Sequence, residues 1–255
     1  MSTVGLIGYG RINQYIAERV NEHDTLSVEF VYTRTPAAYS GSATTLRDPE
    51  ELAVHSVDLV IEAATQEAVQ ELGPQCLAAS DMLILSTTAL SDKNVKNSLL
   101  SAATDTTAYV PHGAVLGTDG LRDGRAALHS VSIETRKHPD NIDFKTTSDD
   151  PTPITEETVL YDGSTRGICV EFPRNVNSHA TIALAGVGFD DTDSTLIADP
   201  GTDVATHHII AKGDGTELRI ERTSDIEGVT GTYTLASVWG TVKHLLQEKR
   251  GLTVV

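Results

Sequence analysis

Gly5-Leu6-Ile7-Gly8-Tyr9-Gly10-Arg11-Ile12-Asn13 is the stretch that decides the fold. It closes an apolar run that starts at Thr3. It also opens a segment, Ile12 to Asn21, in which Ile12, Tyr15, Ile16 and Arg19 recur at helical spacing, so it reads as strand, turn and helix. Two glycines one residue apart at such a junction have a mechanical meaning. Gly8 permits the tight turn, and Gly10 lets the backbone of Gly10, Arg11 and Ile12 approach a pyrophosphate at the helix N-terminus. The third position of the pattern is Asn13, which is expected to loosen the packing of helix on strand.

Outward from this turn the rhythm repeats. Leu26 to Tyr32 reads as a strand, and Val57 to Ala63 and Met82 to Ser86 are continuous apolar runs of the kind covered on both faces in parallel sheets. Gln66 to Ala79 is a helix expected to be interrupted at Gly73-Pro74. This βαβα alternation predicts a Rossmann-type doubly wound parallel sheet over residues 1–112. After Pro111-His112-Gly113 the runs shorten. Val131 to Thr135 and Gly167 to Glu171 alternate as short strands do, Thr181 to Gly186 reads as a helix, and Leu196 to Ala198, His208 to Lys212 and Glu217 to Thr223 read as strands. These define a second, mixed α/β domain over residues 113–231, expected to hold substrate and to serve a homodimer. Thr146 to Pro153 is a polar surface loop, and a terminal helix over residues 232–250 is expected to return to the first domain.

Composition narrows the function. Against 36 acidic side chains stand 19 basic ones, a formal net charge of −17. A nucleic-acid partner is excluded on that balance, because phosphate contacts need a basic stripe. Only seven of the basic residues are lysine. Such an acidic, lysine-poor surface suits salt-loving cytoplasm, where salt screens the self-repulsion, or belongs to an ordinary acidic cytosolic protein. Cys76 and Cys169 lie far apart in no metal-like spacing, so buried thiols are expected and no metal site or disulfide. No eighteen apolar residues run together and no leader precedes the first strand, so the expectation is a soluble, cytoplasmic chain without a membrane partner.

The second strand ends Phe30-Val31-Tyr32-Thr33-Arg34-Thr35. An NAD-selective site wants a carboxylate there for the ribose hydroxyls, whereas Thr33 and Arg34 suit a 2′-phosphate. NADP is therefore expected to be preferred or accepted beside NAD, the alternative being that Arg34 stacks on adenine or is merely solvated.

Three further stretches carry a family resemblance. Val60-Ile61-Glu62-Ala63-Ala64-Thr65-Gln66-Glu67-Ala68-Val69, Leu85-Ser86-Thr87-Thr88-Ala89-Leu90, and Pro111-His112-Gly113-Ala114 with Gly117 and Asp119 resemble the L-aspartate dehydrogenase family in order and spacing. Phe172-Pro173-Arg174-Asn175-Val176-Asn177 leading into Ala180 to Gly186, and Ala198-Asp199-Pro200 before a histidine pair, continue the likeness over nearly the whole chain. The resemblance implies a nicotinamide-dependent enzyme that interconverts L-aspartate with oxaloacetate and ammonia through iminoaspartate. It places the catalytic histidine at His207 and cofactor contacts at Ala114 and Asn177, beside Ala63 and Ala64 at the end of the Val57 to Ala63 run.

Physically, such a reaction needs a proton acceptor and neutralisation of two carboxylates. A histidine suits the proton work. His207 and His208 precede an apolar strand, so alternation sends them to opposite faces. Where the family carries an asparagine and an acidic residue around its histidine, this chain has Ala205 and His208, so the support for the imidazole must come from elsewhere. For the dicarboxylate the candidates are His112, Asn175, Arg174 and Thr232; His112 could equally fill space, Asn175 cap a helix, Arg174 lie exposed and Thr232 act as an N-cap. Two rival functions stand beside the dehydrogenase: a dehydrogenase or imine reductase for another small amino or keto acid, and a non-catalytic NADP(H)-binding regulator.

Overall fold

The computed structural model describes residues 1–35, 39–52, 54–144, 154–227 and 230–247. The chain divides into two compact units, one holding Met1–Pro111 and the chain from Val238, the other His112–Ser237.

In the first unit, β1 (Ser2–Ile7), α1 (Arg11–Asn21), β2 (Leu26–Tyr32), β3 (Thr44–Leu46), α2 (Pro49–Leu52), β4 (Leu59–Glu62), α3 (Gln66–Leu77), β5 (Asp81–Ile84), α4 (Lys93–Ala102) and β6 (Ala108–Tyr109) build a six-stranded sheet. Its order is β3-β2-β1-β4-β5-β6, with every pairing parallel. The strand order reverses beside β1, so the carboxyl ends of β1 and β4 form the switch point where such sheets bind ligands. Val4, Leu6, Ile16, Val20, Leu59 and Ile61 are sealed in one core, and Val238 and Val242 join it. The expected break in α3 does not occur. Pro74 lies inside the helix, whose Val69, Leu72, Gly73, Cys76 and Leu77 are buried. The residue four before it, Gln70, is exposed, so the carbonyl that loses its partner reaches water. Gly73 lets α3 and α4 approach closely: a Cβ there would stand 2.5 Å from Leu99 Cδ2, which would have to shift.

The second unit contains α5 (Thr118–Gly124), β7 (Leu128–Lys137), β8 (Thr158–Ser164), α6 (Thr165–Glu171), α7 (Asn177–Ala185), β9 (Thr192–Ala198), β10 (Val204–Gly213), β11 (Thr216–Glu227) and β12 (Thr230–Gly231). The sheet runs β12-β11-β10-β7-β9-β8 and is mixed: β7 and β9 are parallel, the other pairings antiparallel. Val131, Ile133, Ile209 and Ala211 face Leu121 and Ile182 in a separate core. Gly167–Glu171, read above as a strand, is helical; it belongs to α6, capped by Ser164, whose hydroxyl accepts from the Gly167 N–H. A serine N-cap outweighs the weak alternation of a five-residue run. The polar loop expected at Thr146 to Pro153 lies outside the described residues. The terminal helix α8 spans Thr232–Leu246. No helix among the described residues is long and apolar enough to cross a membrane.

Candidate active site

At the switch point of the first unit, Gly8 adopts φ +82°, and a Cβ there would stand 2.8 Å from Ala64 Cβ and 2.9 Å from the Ala63 carbonyl. The turn is therefore closed to any side chain. Gly10, the N-cap of α1, is the opposite case: nothing lies within 4 Å of where its Cβ would be. It makes no side-chain cap, and the first turn of α1 carries no acidic residue. An unobstructed backbone at the start of a helix whose first turn carries no acidic residue fits a pyrophosphate.

Asn13 does not loosen this corner as expected. Its side chain is fully buried, and its Nδ2 donates to the carbonyls of Ile7 and Gly8 at 2.9 Å each. The amide stitches the glycine turn to the helix, which a third glycine would do only by close contact.

Glu62, at the end of β4, holds the next two loops. It is completely buried, and four donors converge on its carboxylate: the Ala64 N–H and Ser86 hydroxyl at 2.7 Å on Oε1, and the Ser86 and Leu85 N–H groups at 2.9 and 3.2 Å on Oε2. Burial pushes its pKa up, and these hydrogen bonds pull against that shift. Ala63 and Ala64 thus owe their positions to a carboxylate. Glu62→Gln is expected to lower stability by about 1–3 kcal/mol, because an NH2 group must then face existing donors. Thermal melting checks this, and an unchanged midpoint would refute it. Thr33 is buried and accepts from the Thr35 N–H, while Arg34 is exposed and makes no ion pair among the described residues.

In the second unit, His207 lies on β10 directly opposite Thr135 on β7 and Arg222 on β11. Residues paired in this way share a face of the sheet. His207 is 7% exposed, and its Nδ1 lies 3.4 Å from Thr135 Oγ1. The same hydroxyl lies 2.7 Å from Nε2 of His179, a fully buried residue of α7. One hydroxyl between two imidazoles couples their tautomers, since Thr135 donates to one ring and accepts from the other. This linkage supplies the orientation that Ala205 and His208 do not. Burial, followed by the nearby charges of Arg222, Lys137 and His208, pushes the pKa of His207 down to about 4, against a raising backbone hydrogen bond at Thr206. Burial and the charges of His207 and Lys137 hold His179 lower than an ordinary histidine as well. Both rings are therefore neutral at neutral pH. His208 faces the other side, with Glu221 at 3.3 Å and Glu134 at 3.7 Å.

Lys137 ends β7 two residues beyond Thr135 and is 3% exposed. Its Nζ donates to Asn175 Oδ1 at 3.2 Å. Burial lowers its pKa to about 8, while the Asp143 charge acts the other way. Asn175 is fully engaged: its Oδ1 also accepts from the Asp143 N–H, and its Nδ2 donates to the Asp143 carbonyl. It lies in a turn, its N–H bonded to the Phe172 carbonyl. Asn177 follows two residues later as the first residue of α7. Arg174 pairs with Asp143 at 3.0 Å. His112 is exposed and hydrogen-bonded through Nδ1 to the Thr118 hydroxyl. Ala114 lies two residues beyond it, after Gly113 at φ +58°, and Thr232 is the exposed first residue of α8.

Five residues around these sites were not singled out from sequence: Glu62, Thr135, Lys137, His179 and Arg222. Three had a readable signal. Thr135 and Lys137 follow Val131 and Ile133 on one face by simple alternation, and His179 precedes the largely apolar run Ala180 to Ala185.

Comparison with known proteins bears on both units. Residues 8–112 match the family model described as homoserine dehydrogenase, NAD binding domain, and residues 119–245 match aspartate dehydrogenase, C-terminal. The chain is 33% identical over 228 residues to an L-aspartate dehydrogenase of Nitrosopumilus maritimus, covering 84% of each chain. It is 37% identical over 215 residues to one of Methanosarcina acetivorans, covering 77% of this chain and 76% of that one. Among solved structures, the aspartate dehydrogenase of Thermotoga maritima superposes with a TM-score of 0.75 at 26% identity, covering 98% of this chain and 99% of that one. A myo-inositol dehydrogenase of Corynebacterium glutamicum, 10% identical with a TM-score of 0.57, shares the fold.

Proposed function

This chain belongs to the L-aspartate dehydrogenase family, and from that membership we propose that His207 is the acid/base group in its NAD(P)-dependent oxidation of L-aspartate to iminoaspartate, which water converts to oxaloacetate and ammonia. The backbone at Gly8, Gly10, Arg11 and Ile12 would hold the cofactor pyrophosphate, with Ala63, Ala64, Ala114 and Asn177 as further contacts. A bound nicotinamide supplies the acceptor for the hydride leaving C2.

The remaining work belongs to side chains. Deprotonating the α-ammonium lets the nitrogen lone pair form the C=N bond as the hydride departs, and an imidazole that is neutral at neutral pH accepts that proton. Once that proton has passed to solvent, the neutral ring takes one from the water that adds to the imine carbon and returns it to the departing nitrogen. Thr135, tethered to His179, keeps the ring in place through both steps. The observation that carries this reading is the position of His207: a buried imidazole held through Nδ1 in the unit that matches the aspartate dehydrogenase C-terminal family.

NADP is the cofactor that Thr33 and Arg34 fit. A guanidinium with no anionic partner among the described residues, at the end of β2, suits a 2′-phosphate and has no carboxylate beside it to accept from ribose. Arg34→Ala is expected to reduce kcat/KM for NADP by about tenfold or more, the scale of one hydrogen bond to a charged group, with little change for NAD. Steady-state kinetics with both cofactors test this, and an unaltered preference would refute it.

A further inference from the structure

We propose that Lys137 and Arg222 are the two cations that bind the carboxylates of the dicarboxylate substrate, on the strands either side of the one that carries His207. The proposal rests on the dehydrogenase reading of that site and adds what the reading lacks, a way to neutralise two anions in a chain of net charge −17.

The geometry is a row across three strands. Arg222 on β11, His207 on β10 and Thr135 on β7 are directly paired, and Lys137 follows Thr135 on the same face. Among the described residues neither cation has a bonded anion. The Lys137 ammonium is almost wholly buried, yet its hydrogen-bond acceptor is the neutral amide oxygen of Asn175. The carboxylate that acts on it, Asp143, has an oxygen on Arg174 at 3.0 Å. Arg222 stacks 4.9 Å above the Tyr233 ring, and its Nη2 is buried with no hydrogen-bond partner. Buried cations without counter-ions are costly to keep. A buried ammonium and a half-buried guanidinium flanking one neutral imidazole make sense if the charge is completed by a doubly anionic ligand. Both also act electrostatically on His207, which places their charges within reach of the ring. Arg174, a natural candidate by sequence, already has Asp143.

The test uses the full chain loaded with NADP and reads binding as well as turnover. Succinate, a dicarboxylate that cannot react, is titrated by calorimetry against butyrate, its monocarboxylate counterpart. Wild-type protein is expected to bind succinate at least about tenfold more tightly, the scale of a charge-assisted hydrogen bond. Lys137→Met and Arg222→Met should each abolish that preference and raise KM for aspartate by about tenfold or more, while NADP affinity stays unchanged. Lys137→Arg and Arg222→Lys keep the charge and should recover part of the preference, which keeps the test decisive if a methionine variant does not fold. Succinate preference and KM within twofold of wild type in folded variants would overturn the clamp while leaving the dehydrogenase intact. A wild-type protein that selects succinate through these two residues yet never oxidises aspartate would uphold the clamp and overturn the dehydrogenase reading.

Discussion

His207→Ala is expected to lower kcat for aspartate oxidation by about a hundredfold or more, the usual contribution of a positioned general base. Cofactor affinity should stay unchanged, because the partners of His207 are Thr135, His179 and Arg222, none of them a proposed cofactor contact. His208→Ala should do much less, since that ring faces the opposite side with Glu134 and Glu221. The reverse order would transfer the role to His208. The pH profile carries the same argument. A base must be deprotonated to act, and His207 is held down to about 4. The acid limb of kcat/KM for aspartate, which reports the free enzyme, should therefore fall well below the ordinary histidine value near 6.5. The groups that face the ring, Lys137, Arg222 and His179, are cationic or neutral, so none of them would raise it. An acid limb near 6.5 would mean that the imidazole is solvated.

Gly8→Val should be the most damaging single change in the first unit. A β-branched residue at φ +82° is strained, and its Cβ would stand 2.8 Å from Ala64 Cβ and 2.9 Å from the Ala63 carbonyl. The combined backbone strain and overpacking should cost about 3 kcal/mol or more and abolish cofactor binding. Gly10→Ala separates the two effects. Its φ of −83° suits alanine and nothing lies within 4 Å, so the melting temperature should hold while cofactor affinity falls. Chemical denaturation and cofactor titration on the two variants check this. If Gly10→Ala binds cofactor as well as wild type, the open cradle over α1 is not the phosphate site.

The parallel sheet was legible because its strands carry short apolar runs, Val4 to Ile7, Phe30 to Tyr32, Leu59 to Ile61 and Met82 to Leu85, a pattern that needs no partner to be recognised. Asn13 was misjudged because the glycine pattern specifies packing by size and is silent on hydrogen bonds; a buried amide with acceptors at Ile7 and Gly8 does the same job by another route. Gly167 to Glu171 was misread because five residues are too few to separate a period of 2 from one of 3.6, and the deciding signal was the cap at Ser164. In the second unit the histidine could be named in advance, yet its partners could not. Thr135 and Arg222 reach His207 through the registers of β7 and β11, which are separated from it in sequence and set by pairing. The inward facing of Thr135 and Lys137 was recoverable, since alternation from Val131 already turns both toward the core, but their approach to His207 was not.

The most direct measurement of the central claim is the incubation of the full chain with L-aspartate and NADP in molar salt, following reduced cofactor, oxaloacetate and ammonia together. The account predicts the three products in equal amounts from wild-type protein, and a loss of about a hundredfold or more in their rate of formation from His207→Ala. Tight NADP binding with no product from wild type, or equal rates from the two proteins, would contradict it.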